Sequence, residues 1–327
     1  MKAQAPGKLI LSGEHSVVYG APAIATAVAQ QATAFFVPNN SDCIEIVSAG
    51  LGTLTLPLVD IANGKLAADE KFSDFSNGVL AINQVLDHPL KLIAYCLAYA
   101  GFEQPGRVLI ESDIPTGSGM GSSAAVIAAV LRMAGVKEPA EQFVQSIRYC
   151  ERLQHGRGSV IDASAVALGG MIKVESGKAD KLNLSLGEGW YVWNSGQPES
   201  STGQTVAWVS DHHADSAIWK DFSAVTRELI DSIGNGDHPS IRNLVNENQR
   251  LLNNIGVVPE AVMDVTDKIY QMGGAAKICG AGALNGHAGG QVLAYLPGEG
   301  VDHLQDQLMI SLAPLKQASI GASCVDD

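Results

Sequence analysis

The chain has 327 residues, 46% of them hydrophobic and 17% charged, with a formal net charge of −13. That composition supports a sizeable core in one large or two moderate domains, excludes bulk disorder and argues against a nucleic-acid partner. No apolar run reaches membrane-spanning length, and the five scattered cysteines show no metal or disulfide pattern, so a reducing cytoplasm is the expected location.

Apolar and small residues alternate through Lys8–Leu11 and Ala21–Phe36, which predicts strands joined by a glycine-rich turn. Residues 60–78 are polar and acidic and predict a surface excursion. From Leu80 to Ala100 the apolar residues recur at helical spacing, with Pro89 splitting the stretch into two helices. Arg107–Ser112 predicts a strand running into DIPTGSGMGSSAA, Asp113–Ala125. Helices are expected over 122–134 and 139–155, the second with Pro139 at its start. A short alanine-rich helix over 163–168 ends at Gly169–Gly170. A domain break falls near 175–190, giving domains 1–180 and 181–327. After Trp190 the stretches WYVWNSG and TVAWVS read as strands, followed by helices over 217–235, 238–254 and around 259–272. KICGAGALNGHAGGQVLAYL closes the pattern with strand and loop, so the chain reads as α+β.

Glycine in an ordered loop costs backbone entropy, so three alternate glycines before a strong helix imply positive φ or a close backbone approach. A strand, a glycine loop and a helix opening with Ser122-Ser123 present free N–H groups and a helix dipole to an anion. The loop lacks the Gly-Lys-Ser/Thr of a Walker A motif and the third glycine of a dinucleotide fingerprint. A flexible turn with a serine cap remains the plain alternative.

Four charged or titratable residues stand out. Glu151 follows Ile147 by four residues and Val144 by seven, which places a carboxylate on an apolar helix face unless it lies at the stripe's edge. Asp162 precedes Ala163–Leu168 and reads as an N-cap. Lys8 sits between Gly7 and Leu9-Ile10-Leu11, where a lysine often only snorkels. His15 reads equally as a structural histidine.

Together these segments resemble the GHMP kinase superfamily, and within it the mevalonate kinase branch. APGKLILSGEHSVVYGAPAIA is similar to that branch's first motif, IPTGSGMGSSAA to the phosphate-binding second motif, and KICGAGA to the opening of the third. CERLQHGRGSVIDASAVALGG resembles the segment carrying a metal-binding Glu and a catalytic Asp, and SGQPESSTGQTVAWV and ENQRLLNNIGV look like further segments of the branch. The chain departs from the pattern at Met120 (usually Leu), Gly158 (usually Pro) and Val160 (usually Gly), and Leu284, Asn285 and His287 interrupt the third glycine run. That interruption opens a shifted substrate preference.

The resemblance implies a two-lobed fold, the N-terminal lobe like ribosomal protein S5 domain 2 and the C-terminal lobe ferredoxin-like. It implies ATP bound over Pro115, Gly117, Ser118, Gly119, Met120, Gly121, Ser122, Ser123 and Ala124, with Mg²⁺ on Ser122 or Ser123 and Glu151. Asp162 and Lys8 would be catalytic, and Glu14, His15 and Thr202 would join them at the substrate, mevalonate or a similar small alcohol. A sister kinase acting on another alcohol or phosphorylated acid, and a silent ligand sensor of the same fold, are the competing expectations. A homodimer stays open.

Overall fold

The computed structural model describes residues 1–115, 117–298 and 300–325. Thr116, within the second motif, lies outside them. The first sheet is built on β1 (Lys2–Ser12) and β2 (Ala23–Pro38), paired antiparallel. β5 (Gly106–Ser112) joins the other side of β2, followed by β3 (Cys43–Ser48), parallel to β5, and β4 (Gly52–Pro57) at the edge. β6 (Met171–Glu175) pairs with the start of β2 and carries β7 (Lys178–Leu182). The long middle of β1 is buried residue after residue, as expected of a strand covered on both faces.

α3 (Ser122–Met133) lies across β1 and β2, burying Ala124, Ala125, Ile127, Ala128, Val130 and Leu131. Its small residues allow that close approach. α4 (Ala140–His155) packs beside it through Phe143, Val144, Ile147, Cys150 and Leu153, each large side chain contributing about 1.5–3 kcal/mol. α5 (Val160–Leu168) turns back toward β1.

The second sheet contains β8 (Trp190–Asn194), β9 (Ala275–Ile278), β10 (Gln291–Tyr295) and β11 (Ala313–Pro314) in the order β11-β8-β10-β9, all neighbours antiparallel. That order, with helices after β8 and after β10, is the ferredoxin-like arrangement the resemblance implied. α6 (Thr202–His213), α7 (Ile218–Asn235), α8 (His238–Asn254) and α9 (Glu260–Gln271) separate β8 from β9, and α10 (Val301–Leu308) precedes β11. The last strand, β12 (Ser323–Cys324), returns to the first sheet and pairs with β1. Trp190, Leu229, Ile233 and Tyr295 share one buried cluster with Ala3, Leu9 and Ile24, so the apolar core runs across the two sheets.

Residues 60–78, expected as a surface excursion, lie mostly in the surface helix α1 (Leu58–Ser76), of which only Ile61 and Ala68 are buried. Two expectations need correction. TVAWVS is helix, not strand, because Ser201 caps α6 and the Gln204 side chain reaches back to its N–H at 2.8 Å. The stretch on the N-terminal side of Pro89 holds only the 3₁₀ turn Ile82–Gln84, with the full helix, α2 (Lys91–Tyr99), beyond it.

Candidate active site

β1, the loop after β5 and α5 bring Lys8, the second motif and Asp162 together. Lys8 is 4% exposed. Its backbone N–H donates to Met120 O at 2.9 Å, and its Nζ donates to Gly119 O at 2.8 Å. Nζ also meets Asp162 Oδ1 at 2.7 Å. No directional hydrogen bond within the described protein reaches that oxygen, so the contact is a charge pair that leaves lone pairs to spare. The lysine stem passes over Gly121, where a Cβ would come within 2.9 Å of Lys8 Cγ. Snorkelling does not describe this side chain.

Gly121, at φ +71°, is the N-cap of α3 and supplies no side-chain cap, so the first-turn N–H groups of α3 remain available. Gly117 and Gly119 have φ of +71° and +77°, as the spacing required. Ser118 Oγ donates to Pro115 O at 2.6 Å, holding the loop, and Met120 is buried beneath it. Ser123 Oγ donates to Gln154 Oε1 at 2.5 Å, tying α3 to the end of α4.

Glu151 is 3% exposed on α4, so it faces inward and not from the stripe's edge. Its Oε2 accepts from the Ser159 N–H at 2.9 Å. Burial first, then the Asp162 carboxylate, pushes its pKa up to about 8, opposed by that N–H, Lys8 and Arg148. Asp162 itself is not the N-cap of α5. Ser159 fills that role, accepting from Asp162 N at 3.3 Å, and frees the Asp162 side chain for Lys8. Gly158, where the superfamily usually has proline, packs against the main chain of Arg148 with no room for a Cβ.

At the other end of the site, Glu14 forms an ion pair with Lys277 of β9, both side chains almost completely buried. Lys277 Nζ donates a second bond to Ile278 O at 2.7 Å. His15 Nε2 lies 3.0 Å from Ala281 O, and burial lowers its pKa. The segment ENQRLLNNIGV completes this seam: Asn248 Nδ2 donates to Ser12 Oγ at 3.0 Å and Gln249 Oε1 accepts from Ile278 N at 2.9 Å. Lys277 was missed in the sequence, although a lone lysine inside the apolar run AAKICGA was the available signal. Thr202 stands exposed in the first turn of α6. Its loop approaches the second motif through Gln197, which faces Gly117.

A divalent ion fits this donor set. Glu151 is a buried carboxylate with one N–H donor and a second carboxylate nearby, and positive charge would relieve both. Among the described residues no three His, Cys, Asp or Glu side chains cluster as a self-sufficient metal site.

The family model for the GHMP kinases N terminal domain matches residues 83–170, the span holding the glycine loop, Glu151 and Asp162. The mevalonate kinase of Thermococcus onnurineus is 30% identical over 314 residues, covering 90% of this chain and 89% of that protein. Among solved structures, a mevalonate kinase crystal structure superposes with a TM-score of 0.79 at 20% identity, covering 97% of this chain and 99% of the other. Lactococcus lactis galactokinase complexed with galactose gives 0.74 at 17% identity, covering 99% and 95%. These two share the fold. Fold and family motifs together define an ATP-dependent kinase. The chain belongs to the GHMP kinase family.

Proposed function

We propose that this kinase transfers the γ-phosphoryl group of ATP to the primary hydroxyl of mevalonate, giving 5-phosphomevalonate for isoprenoid synthesis. The observation that carries the proposal is the Lys8–Asp162 pair, 2.7 Å apart beneath an open glycine loop. The triphosphate lies between lobes 1–180 and 181–327, along Pro115 to Ala124, held by the backbone N–H groups of the loop and the first turn of α3. Such dipoles bind phosphate without a cationic surface, which reconciles phosphate binding with a net charge of −13. Glu151 and the Ser122 hydroxyl hold Mg²⁺, Ser123 being engaged with Gln154. The metal supplies charge neutralisation on the phosphates.

Asp162 takes the proton of the acceptor hydroxyl as its oxygen bonds to γ-phosphorus and the bond to the β–γ bridging oxygen breaks, releasing ADP. Lys8, fixed by Gly119 O, lowers the cost of the developing alkoxide. Glu14, His15 and Thr202 shape the acceptor end. Asp162→Asn keeps α5 intact because Ser159 does the capping, so the melting temperature should hold while turnover falls about 100- to 10,000-fold. An active Asp162→Asn enzyme removes Asp162 from the chemistry.

One observation favours a second reading, a sister kinase acting on a neutral alcohol. Lys8 and Lys277 are each paired with a carboxylate, and burial holds His15 toward its neutral form. None of the three offers an unpaired charge to a substrate carboxylate. A coupled assay across mevalonate, phosphomevalonate, homoserine and galactose decides: turnover of mevalonate above the others supports the first reading, turnover of galactose the second. Binding without turnover on all four would mark the silent sensor.

A further inference from the structure

α5 is nine residues long and carries Asp162 in its first turn. The carbonyls of its last turn need partners from outside the regular helix ladder. Gly169 N–H takes Ala165 O at 3.0 Å, and the C-terminal segment supplies the partner of Val166 O. Ala322 N–H donates to Val166 O at 2.8 Å, and Gly170 N–H, just past the helix, donates to Ala318 O at 2.7 Å. Lys181 Nζ bridges Leu168 O at 2.6 Å and Ser319 O at 3.0 Å. Beyond these ties, Ser323 and Cys324 pair with Gln4 and Ala3 of β1, and Val325 N–H donates to Lys2 O at 3.0 Å. One segment is therefore fastened to α5 and to β1, the two elements that carry Asp162 and Lys8.

The contact is main chain on main chain. A Cβ added at Gly321 would run into the carbonyl of Ala167, and one at Gly169, φ +65°, would run into the backbone of Ile320 and Gly321. Nothing there is the end of a flexible side chain, so neither partner yields cheaply.

We propose that residues 317–325 form a strap that sets the register of α5 against β1, with Gly321 as a positioning residue for the Lys8–Asp162 pair. The proposal rests on Asp162 handling the acceptor proton. Ala167 lies five residues beyond Asp162, about 7.5 Å along a rigid helix, so a shift forced at Ala167 is passed to the carboxylate. Misplacement by about 1 Å costs on the order of 100-fold in rate.

Gly321→Ala in the full chain should lower kcat for mevalonate about 10- to 100-fold and leave the ATP KM within about threefold. A crystal structure of the variant should show Lys8 Nζ and Asp162 Oδ1 farther apart than 2.7 Å. Ile320→Ser, on the same strap but with a side chain 70% exposed, should retain full kcat. If Gly321→Ala fails to fold, Lys181→Met decides, because it cuts the ammonium bridge without adding bulk and should give a smaller loss in kcat alone. Wild-type kcat in Gly321→Ala, or in Lys181→Met where it is the deciding variant, overturns the strap, as does a loss of kcat with the 2.7 Å pair intact. An active Asp162→Asn enzyme instead overturns the catalytic reading. A dead Asp162→Asn beside a fully active Gly321→Ala sinks the strap and leaves that reading standing.

Discussion

Gly117 and Gly119 have room beside them: a Cβ on either would make only ordinary van der Waals contact, with Gln197 Nε2 at 3.9 Å and Cys279 O at 4.0 Å, respectively. Three glycines of the other rich loop are hemmed in. A Cβ on Gly282 would strike the carbonyl of Val257, one on Gly286 the Glu199 carboxylate, and one on Gly289 the Ile278 side chain. That second loop is also bonded into place, with Leu284 N donating to Ser200 Oγ at 3.2 Å and Gly289 N to Ser195 Oγ at 2.9 Å. The two loops meet where Gly280 faces the Gly119 Cα, at 4.0 Å from an added Cβ. Positive φ without a clash leaves room for a ligand, whereas at Gly282 positive φ against the Val257 backbone marks packing. Leu284 and Asn285, both interposed in the third motif, bond to Ser200 and tie that motif to the 195–201 loop.

The largest effect in this comparison belongs to the packed loop. Gly282→Ala must move the Val257 carbonyl and hold alanine at φ +67°, which costs about 2–4 kcal/mol. Urea unfolding should show that loss in the midpoint. A midpoint within about 0.5 kcal/mol of wild type would mean the loop is not packed as described.

Gly119→Ala comes next and acts on function. Its φ of +77° costs about 1 kcal/mol of stability, but the methyl group enters the space where the proposed function puts phosphate. The ATP KM should rise about tenfold, equivalent to about 1.4 kcal/mol. Unchanged ATP kinetics in the folded variant would reduce the second motif to a turn.

The sequence marked the third glycine run as interrupted but not as packed, because composition records glycine and not the space beside it. The helices with strong apolar periodicity were legible: α3, α4, α7, α8 and α9 begin and end within a residue or two of the predicted spans. α1 was not, because its sequence is polar and only Ile61 and Ala68 are buried, too few to set a period. α6 was hidden by the strand-like residues Thr205, Val206, Trp208 and Val209, and its Ser201–Gln204 cap outweighed that propensity. At the site, Lys8, Glu151 and Asp162 stood out one by one, but only the family resemblance joined them. The local readings of Lys8 as snorkelling and Asp162 as an N-cap do not describe the structure. The Glu14–Lys277 pair was not legible, since its members lie 263 residues apart and meet only when the first and second sheets come together.

The smallest effect tests the link between the first motif and the packed loop. His15 is 4% exposed, and burial lowers its pKa from 6.5 against the opposing contact with Ala281 O. The sign follows from proton counting. As pH falls below 6.5, the unfolded chain binds a proton at His15 that the folded chain refuses, so stability drops with pH across that window. His15→Gln cannot titrate, so between pH 7 and pH 5 it should lose less stability than wild type, by urea midpoints at the two values. His155, whose pKa burial also lowers, is common to both proteins and cancels in the difference. Equal losses in the two proteins would show that burial does not hold the His15 ring toward its neutral form. In that case the first motif would not be anchored to the packed loop, and the contrast between the two loops would rest on Gly282 alone.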